Sequence, residues 1–163
     1  MSVNKHRPHV LVLPEDSANR QLANGFHLGL NFPTRQMQVL LPAGGWTKVL
    51  DTFVSEHVSE MDRCPDRYMV LLIDFDGREQ RLPDAKAYIP ERLADRVFIL
   101  GALSKPEALK ADLGPYYETI GSAMAQDCHE ETNTTWGHRL LRHNAGELDR
   151  LRVQVRPILF PSI

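Results

Sequence analysis

Long hydrophobic runs, cysteine and a surplus of either charge are all scarce in this sequence, and each scarcity removes a class of protein. The longest apolar stretches, such as Val70-Leu71-Leu72-Ile73, fall far short of the roughly 18 residues that a membrane-crossing helix needs. The first residues, Met-Ser-Val-Asn-Lys-His-Arg-Pro, hold no apolar core of a secretory signal. Two cysteines, Cys64 and Cys128, cannot build a disulfide framework. A cytoplasmic protein without disulfides or membrane contact is the expectation. The 19 Lys and Arg stand against 21 Asp and Glu, for a net charge of -2, so there is no polybasic anchor and no wholesale attraction to nucleic acid. Any phosphate-binding face must therefore be local. Gly/Ser linkers, low-complexity tracts and internal repeats are missing as well. What is present is ordinary for a globular domain: 163 residues, 42% hydrophobic and 25% charged, enough for about one core.

Four short apolar runs alternate with stretches of helical character. His9 to Leu13, Met37 to Leu41, Tyr68 to Ile73 and Arg96 to Leu100 are rich in Val, Ile and Leu and lack in-out alternation, as buried parallel strands do. After the first run, Asp16 or Ser17 caps a helix to about Leu28. After the second, Trp46 to Glu60 places Val49, Leu50, Phe53, Val54, His57 and Val58 at helical spacing. This order predicts an α/β domain with a mainly parallel four-stranded sheet and flanking helices. Pro83 and Pro90 mark a loop before the fourth run. Beyond Gly101, Lys105 to Leu113, Tyr116 to Cys128 and Thr135 to Arg152 read as a helical tail on a single domain, with a core of about 9–103 and a helical completion of about 104–160.

In a parallel α/β sheet, ligands bind beyond the carboxyl ends of the strands, and here those positions are acidic. The first run ends in Pro14-Glu15-Asp16 and the third in Asp74-Phe75-Asp76-Gly77. In extended backbone Asp74 and Asp76 point to the same side, and Gly77 lets the chain turn after them. Three converging carboxylates repel one another unless one or two Mg²⁺ (or Mn²⁺) ions relieve the repulsion. Plainer readings exist for the same residues: Asp16 as an N-cap, and Asp76-Gly77 as a turn pair supplying positive φ. After the second run, Gly44-Gly45 leads into a helix with Lys48 in its first turn, an arrangement that can present N–H groups and an ammonium to phosphate, or simply turn the chain.

A glutamate closing the first strand, with a DxD closing a later strand before a glycine, resembles the Toprim domain of topoisomerases, primases and OLD-type nucleases. The resemblance covers roughly Val10 to Leu103. It implies Glu15 as the catalytic glutamate, Asp74 and Asp76 as metal-binding aspartates, and adjacency of the first and third strands. Neither the tyrosine-bearing domain of a topoisomerase nor the extra modules of a primase fits in 163 residues. The expectation is thus a Mg²⁺-dependent nuclease acting on DNA or RNA, with a separately encoded ATPase as a partner, since OLD-type nucleases fuse the two. Asp16 replaces the family's usual glycine and Asn19 a common further acid, which favours the alternative of a non-catalytic scaffold. A haloacid dehalogenase-type phosphatase also begins from DxDG, but it expects threonine where this chain has Arg78, and it places the motif on the first strand.

The remaining residues with chemical potential lie in the tail. Glu107 fits a first-turn acid that stabilises a helix dipole. Cys128, His129, His138 and His143 are zinc-capable, but their spacing does not match a zinc motif. Trp136, Leu140, Leu141, Leu148 and Leu151 read as core, with His138, Arg139 and Arg142 on an exposed face.

Overall fold

In the computed structural model, residues 2–30 and 35–161 are described. Four strands, β1 (His9–Pro14), β2 (Met37–Val39), β3 (Arg67–Leu72) and β4 (Val97–Leu100), form one sheet in the order β2-β1-β3-β4. Every pairing is parallel, and β1 lies beside β3 with Pro14 opposite Leu72. The α/β class and the adjacency of the first and third runs are as the sequence led us to expect.

The apolar runs lack alternation because both faces of the sheet are covered. Val10, Val12, Val70, Leu72, Phe98 and Leu100 pack against α1 (Ser17–Leu28), α6 (Tyr117–Glu130) and the tail. Leu11, Leu13, Met69, Leu71, Ile73 and Ile99 pack on the opposite face. That face is covered by α2 (Trp46–Thr52), α3 (Val58–Arg63) and α4 (Arg81–Lys86), with α2 and α3 joined by a π-helical turn at Phe53–His57. Burying a Leu or Ile side chain stabilises the fold by about 1.5–3 kcal/mol, so the two faces together dominate the energetics. Helices α1 and α6 touch along small residues: a Cβ on Gly121 would lie 2.0 Å from the Leu22 carbonyl oxygen, and one on Gly25 2.2 Å from that of Glu118. This close approach lays the first turn of α6 against the second half of α1.

Two expectations need correction. The segment before β4 is more than a loop. It carries α4, with Pro83 in the first turn where a missing N–H is tolerated, and a 3-10 helix at Glu91–Arg96. The tail from Thr135 to Arg152 is not one helix. After α5 (Glu107–Leu113) and α6, the chain makes turns around Trp136, a 3-10 turn at Arg142–Asn144, then α7 (Ala145–Gln154) and α8 (Arg156–Leu159). The break has a cause. The N–H groups of Thr135 and Trp136 donate to the Asp127 carboxylate at 2.6 and 3.0 Å instead of starting a helix. Asn144 and Glu147 pair with the outer edge of β4 through Gly101 and Ile99, which blunts that edge. Among the described residues no helix is long and apolar enough to cross a membrane.

Candidate functional site

The strand order reverses direction at β1, so the crevice between the carboxyl ends of β1 and β3 is where a doubly wound sheet receives ligands. Glu15 and Asp74 both stand there. The Glu15 N–H continues the ladder to the Leu72 carbonyl at 2.8 Å, and the Asp74 N–H donates to Glu15 Oε2 at 2.5 Å. Asp16 is the N-cap of α1. Its Oδ1 accepts from the backbone N–H and from Nδ2 of Asn19, both at 3.0 Å, and the same Nδ2 donates to Asp74 Oδ1 at 2.9 Å. One fully buried amide therefore ties the end of β3 to the start of α1. Its own Oδ1 has no hydrogen-bond partner.

Asp76 does not join them. Asp74 and Phe75 keep the extended course beside β4, with Phe75 N–H donating to the Ala102 carbonyl, but Asp76 has φ 52 and Gly77 φ 73. The Arg78 N–H closes this turn on the Phe75 carbonyl at 2.9 Å. With both central residues at positive φ, the Asp-Gly pair is a turn of the primed kind, and the two-residue alternation assumed for Asp74 and Asp76 breaks at Asp76. No hairpin follows, since the chain runs on into α4. The Asp76 side chain is exposed.

Burial raises the Asp74 carboxyl first of all, and the charges of Glu15, Asp16 and Glu107 raise it further against the single hydrogen bond from Asn19, to about 7. Glu15 is raised too, by burial and by Asp16, while the N–H groups of Asp74 and Trp46 and the charge of Arg81 oppose the rise. The site is thus a set of carboxylates short of positive charge. Arg81 donates to the Asp74 carbonyl oxygen at 2.7 Å, and its guanidinium carbon lies 4.4 Å from the centre of the Trp46 ring. It braces the loop without neutralising the Asp74 carboxylate.

The glycine loop after β2 runs beside Glu15. The N–H groups of Ala43 and Gly44 are engaged by the Pro14 and Glu15 carbonyls, and that of Trp46 faces the Glu15 carboxylate. Gly44 and Gly45 take φ 99 and 154, and Lys48 is exposed. In the tail, Trp136 is buried with its indole N–H donating to the Met124 carbonyl at 3.0 Å. Cys128 is fully buried, and burial pushes its thiol up to about 11. His138 meets Asp112 at 2.8 Å and is only partly exposed, so the exposed face expected for it holds only for Arg139 and Arg142.

Among the described residues, no group of three or more His, Cys, Asp or Glu is placed to hold a metal ion. What the fold brings together is the pair Glu15 and Asp74, with Asp74 tied to Asp16 through the Asn19 Nδ2. These are hard oxygen donors, and Mg²⁺ is commonly held by one or two carboxylates, with waters and substrate phosphates completing its shell. The donor set fits such an ion. Comparison with family models, with curated proteins and with solved structures finds no match to this chain.

One residue of the site carried no signal in the sequence: Arg81 is one of several charges in a polar stretch after Gly77. Helical spacing alone could have placed Asn19 beside Asp16, three positions on, but not against Asp74.

Proposed function

We propose that this chain cleaves phosphodiester bonds in nucleic acid with Mg²⁺ or Mn²⁺, through a Toprim-type site centred on Glu15 and Asp74. The observation that carries the reading is the uncompensated carboxylate pair at the switch point of the sheet, where the Asp74 N–H meets Glu15 Oε2. A bound cation would supply charge stabilisation at the phosphoryl oxygens and an activated water. The chain's own residues do the rest. Asn19 fixes the Asp74 carboxylate, Arg81 holds the backbone behind it, and Glu15, raised above the usual carboxylate range, can accept a proton from water. Asp76, exposed two residues on, is a further ligand once its turn closes on substrate. A separately encoded ATPase is proposed as the partner, on the strength of the OLD-type resemblance.

The test is cleavage of plasmid and single-stranded DNA and of RNA with Mg²⁺ or Mn²⁺, comparing the wild-type protein with Asp74→Asn and Glu15→Gln, with and without a candidate ATPase. Loss of cleavage in both variants supports the reading, and equal cleavage in all three proteins rejects it. A scaffold without catalysis is the second reading, favoured by the outward turn of Asp76 and by the capture of Glu15 by a backbone N–H. It predicts no cleavage under any condition and no stabilisation by Mg²⁺ or Mn²⁺.

A further inference from the structure

The two edges of the sheet are finished differently. Asn144 and Glu147 cover the outer edge of β4, whereas on the β2 side the N-terminal segment reaches only the approach to the strand, with the Asn4 N–H on the Arg35 carbonyl at 3.0 Å. Farther along, the Val10 N–H donates to the Gln36 carbonyl and the Leu40 N–H to the Val12 carbonyl. Gln36, Gln38 and Leu40 thus face β1, and Val39 and Leu41 direct their backbone N–H and C=O groups away from the sheet. Among the described residues no group pairs with them. Met37 to Ala43 also lacks the charged residues that discourage pairing at an edge.

A groove of about 570 Å³ follows this edge from Gln38 to Ala43. Arg20 of α1 lines it, and so do Thr52 and His57 at the two ends of the π-helical turn that follows α2. Because α1 and α2 cover opposite faces of the sheet, a cavity that touches both must pass around the open edge. β2 is therefore recessed between two walls. An extended segment of three to four residues, with about 3.3 Å of rise, 4.8 Å to the next strand and 10 Å between layers, fills about 480–630 Å³, which matches the groove. Arg20 adds a charge requirement. Its Nε is buried without a hydrogen-bond partner, and the guanidinium makes no ion pair with Glu56, the one carboxylate in the lining. A buried charged donor left without an acceptor is destabilising, and an acidic side chain in the groove would satisfy it.

Other occupants fit less well. Single-stranded nucleic acid is held by aromatic stacking along a positive groove, but Phe, Tyr and Trp are absent from this lining and Arg20 is its one permanent cation. A second copy would bring a β2 that is recessed between its own walls and carries no acid.

We infer that the outer edge of β2 takes an extended, apolar peptide segment of a partner protein as an added strand, with an acidic side chain of that segment on Arg20. The outward N–H and C=O groups of Val39 and Leu41 hold its backbone, and the two walls select its side chains. The inference is independent of the phosphodiesterase reading.

The probe is a displayed library of random hexapeptides selected on the full chain. The most enriched sequence is then synthesised with both ends blocked and titrated by calorimetry. Enriched sequences should alternate apolar residues around an Asp or Glu. Val39→Pro deletes one outward N–H and spares the ladder to β1, a position where an edge strand tolerates proline. It should weaken the peptide about threefold to tenfold, the range of one neutral hydrogen bond, and Arg20→Ala about tenfold or more, as for a charged one. Thermal unfolding of the free protein should change little in either variant. N-methylation of alternate peptide nitrogens tests the same contact without altering the protein, and decides the matter if Val39→Pro does not fold: one set should abolish binding and the other leave it intact. A selection that enriches nothing overturns the inference, as does a peptide bound equally by wild type, Val39→Pro and Arg20→Ala, or one indifferent to N-methylation. So does a wild-type dimer in solution that Val39→Pro dissociates, because a second copy then holds the edge. A single-stranded oligonucleotide that displaces the peptide, and whose own binding requires Arg20, assigns the groove to nucleic acid and overturns it too.

Discussion

Asp74 and Asp127 are both carboxylates drawn into the fold beside α1 and α6, and the protein treats them in opposite ways. Burial pushes Asp127 up, but Thr132 Oγ1 and the N–H groups of Thr135 and Trp136 all donate to it, and together they hold its carboxyl below the usual range. Asp74 has one donor on its carboxylate, Asn19 Nδ2, and three like charges around it, and is lifted to about 7. Asp127 is a finished knot: it ends α6, turns the chain and seats Trp136 in the core. Asp74 is left unfinished, with one donor against three like charges. A fold that can satisfy one carboxylate so fully has no general difficulty in doing so, and it is on the shortfall at Asp74 that the proposed metal site rests.

The largest effect should come from breaking the satisfied side. Asp127→Ala strands two N–H groups and the Thr132 hydroxyl in a buried turn and should cost about 3–4 kcal/mol in urea unfolding. Wedging apart α1 and α6, the helix that carries Asp127, comes next. Gly121→Ala forces a Cβ into the Leu22 carbonyl and should cost about 1–3 kcal/mol in the same measurement.

The unsatisfied side should respond with the opposite sign. An acid whose folded pKa lies above its unfolded value favours the folded state when protonated, so its penalty is absent below about 3.8 and grows as pH rises towards about 7. Asp74→Asn, measured in EDTA, should therefore be more stable than wild type by ~1–2 kcal/mol at pH 8, after allowing for solvent screening, and the gain should vanish near pH 4. Asp127 has the contrary linkage. Its carboxyl is held low, so its contribution is present above the ordinary carboxylate range and lost as pH falls through the folded value. Unfolding curves of the two variants from pH 3 to 8 should therefore diverge from wild type at opposite ends. An Asp74→Asn protein no more stable than wild type at pH 8 would show that its carboxylate is not strained.

The smallest effect on stability belongs to Asp76→Asn, within about 0.5 kcal/mol, because the side chain is exposed and Asn tolerates positive φ. Its effect on cleavage sharpens the comparison. A loss matching that of Asp74→Asn means the Asp76 turn closes on substrate, whereas unchanged cleavage confines the ligands to Glu15 and Asp74.

The fold was largely legible in the residues themselves. Unalternating runs of Val, Ile and Leu can be buried only on both faces, which forces a parallel sheet with helices on each side, and Asp16 caps α1 as its side-chain chemistry requires. The approach of Glu15 to Asp74 follows from the same logic, because parallel strands present their carboxyl ends together. Local sequence was also enough to allow a turn at Asp76-Gly77, but not to choose it over an extended pair of ligands. That choice depends on the chain just beyond β4, where the Phe75 and Gly77 N–H groups donate to the Ala102 and Leu103 carbonyls and Asp76 between them turns out to solvent. Nor could the sequence place Arg81 or Asp127. Their roles arise from contacts between segments far apart in the chain, and such contacts are set by packing. Gly25 and Gly121 allow α6 to lie against α1, a close approach that no spacing within either helix announces. Periodicity reports which face of an element is buried, because burial depends on hydrophobicity at regular spacing. Which polar atom ends without a partner depends on the positions of every neighbour at once, and only the tertiary structure holds that information.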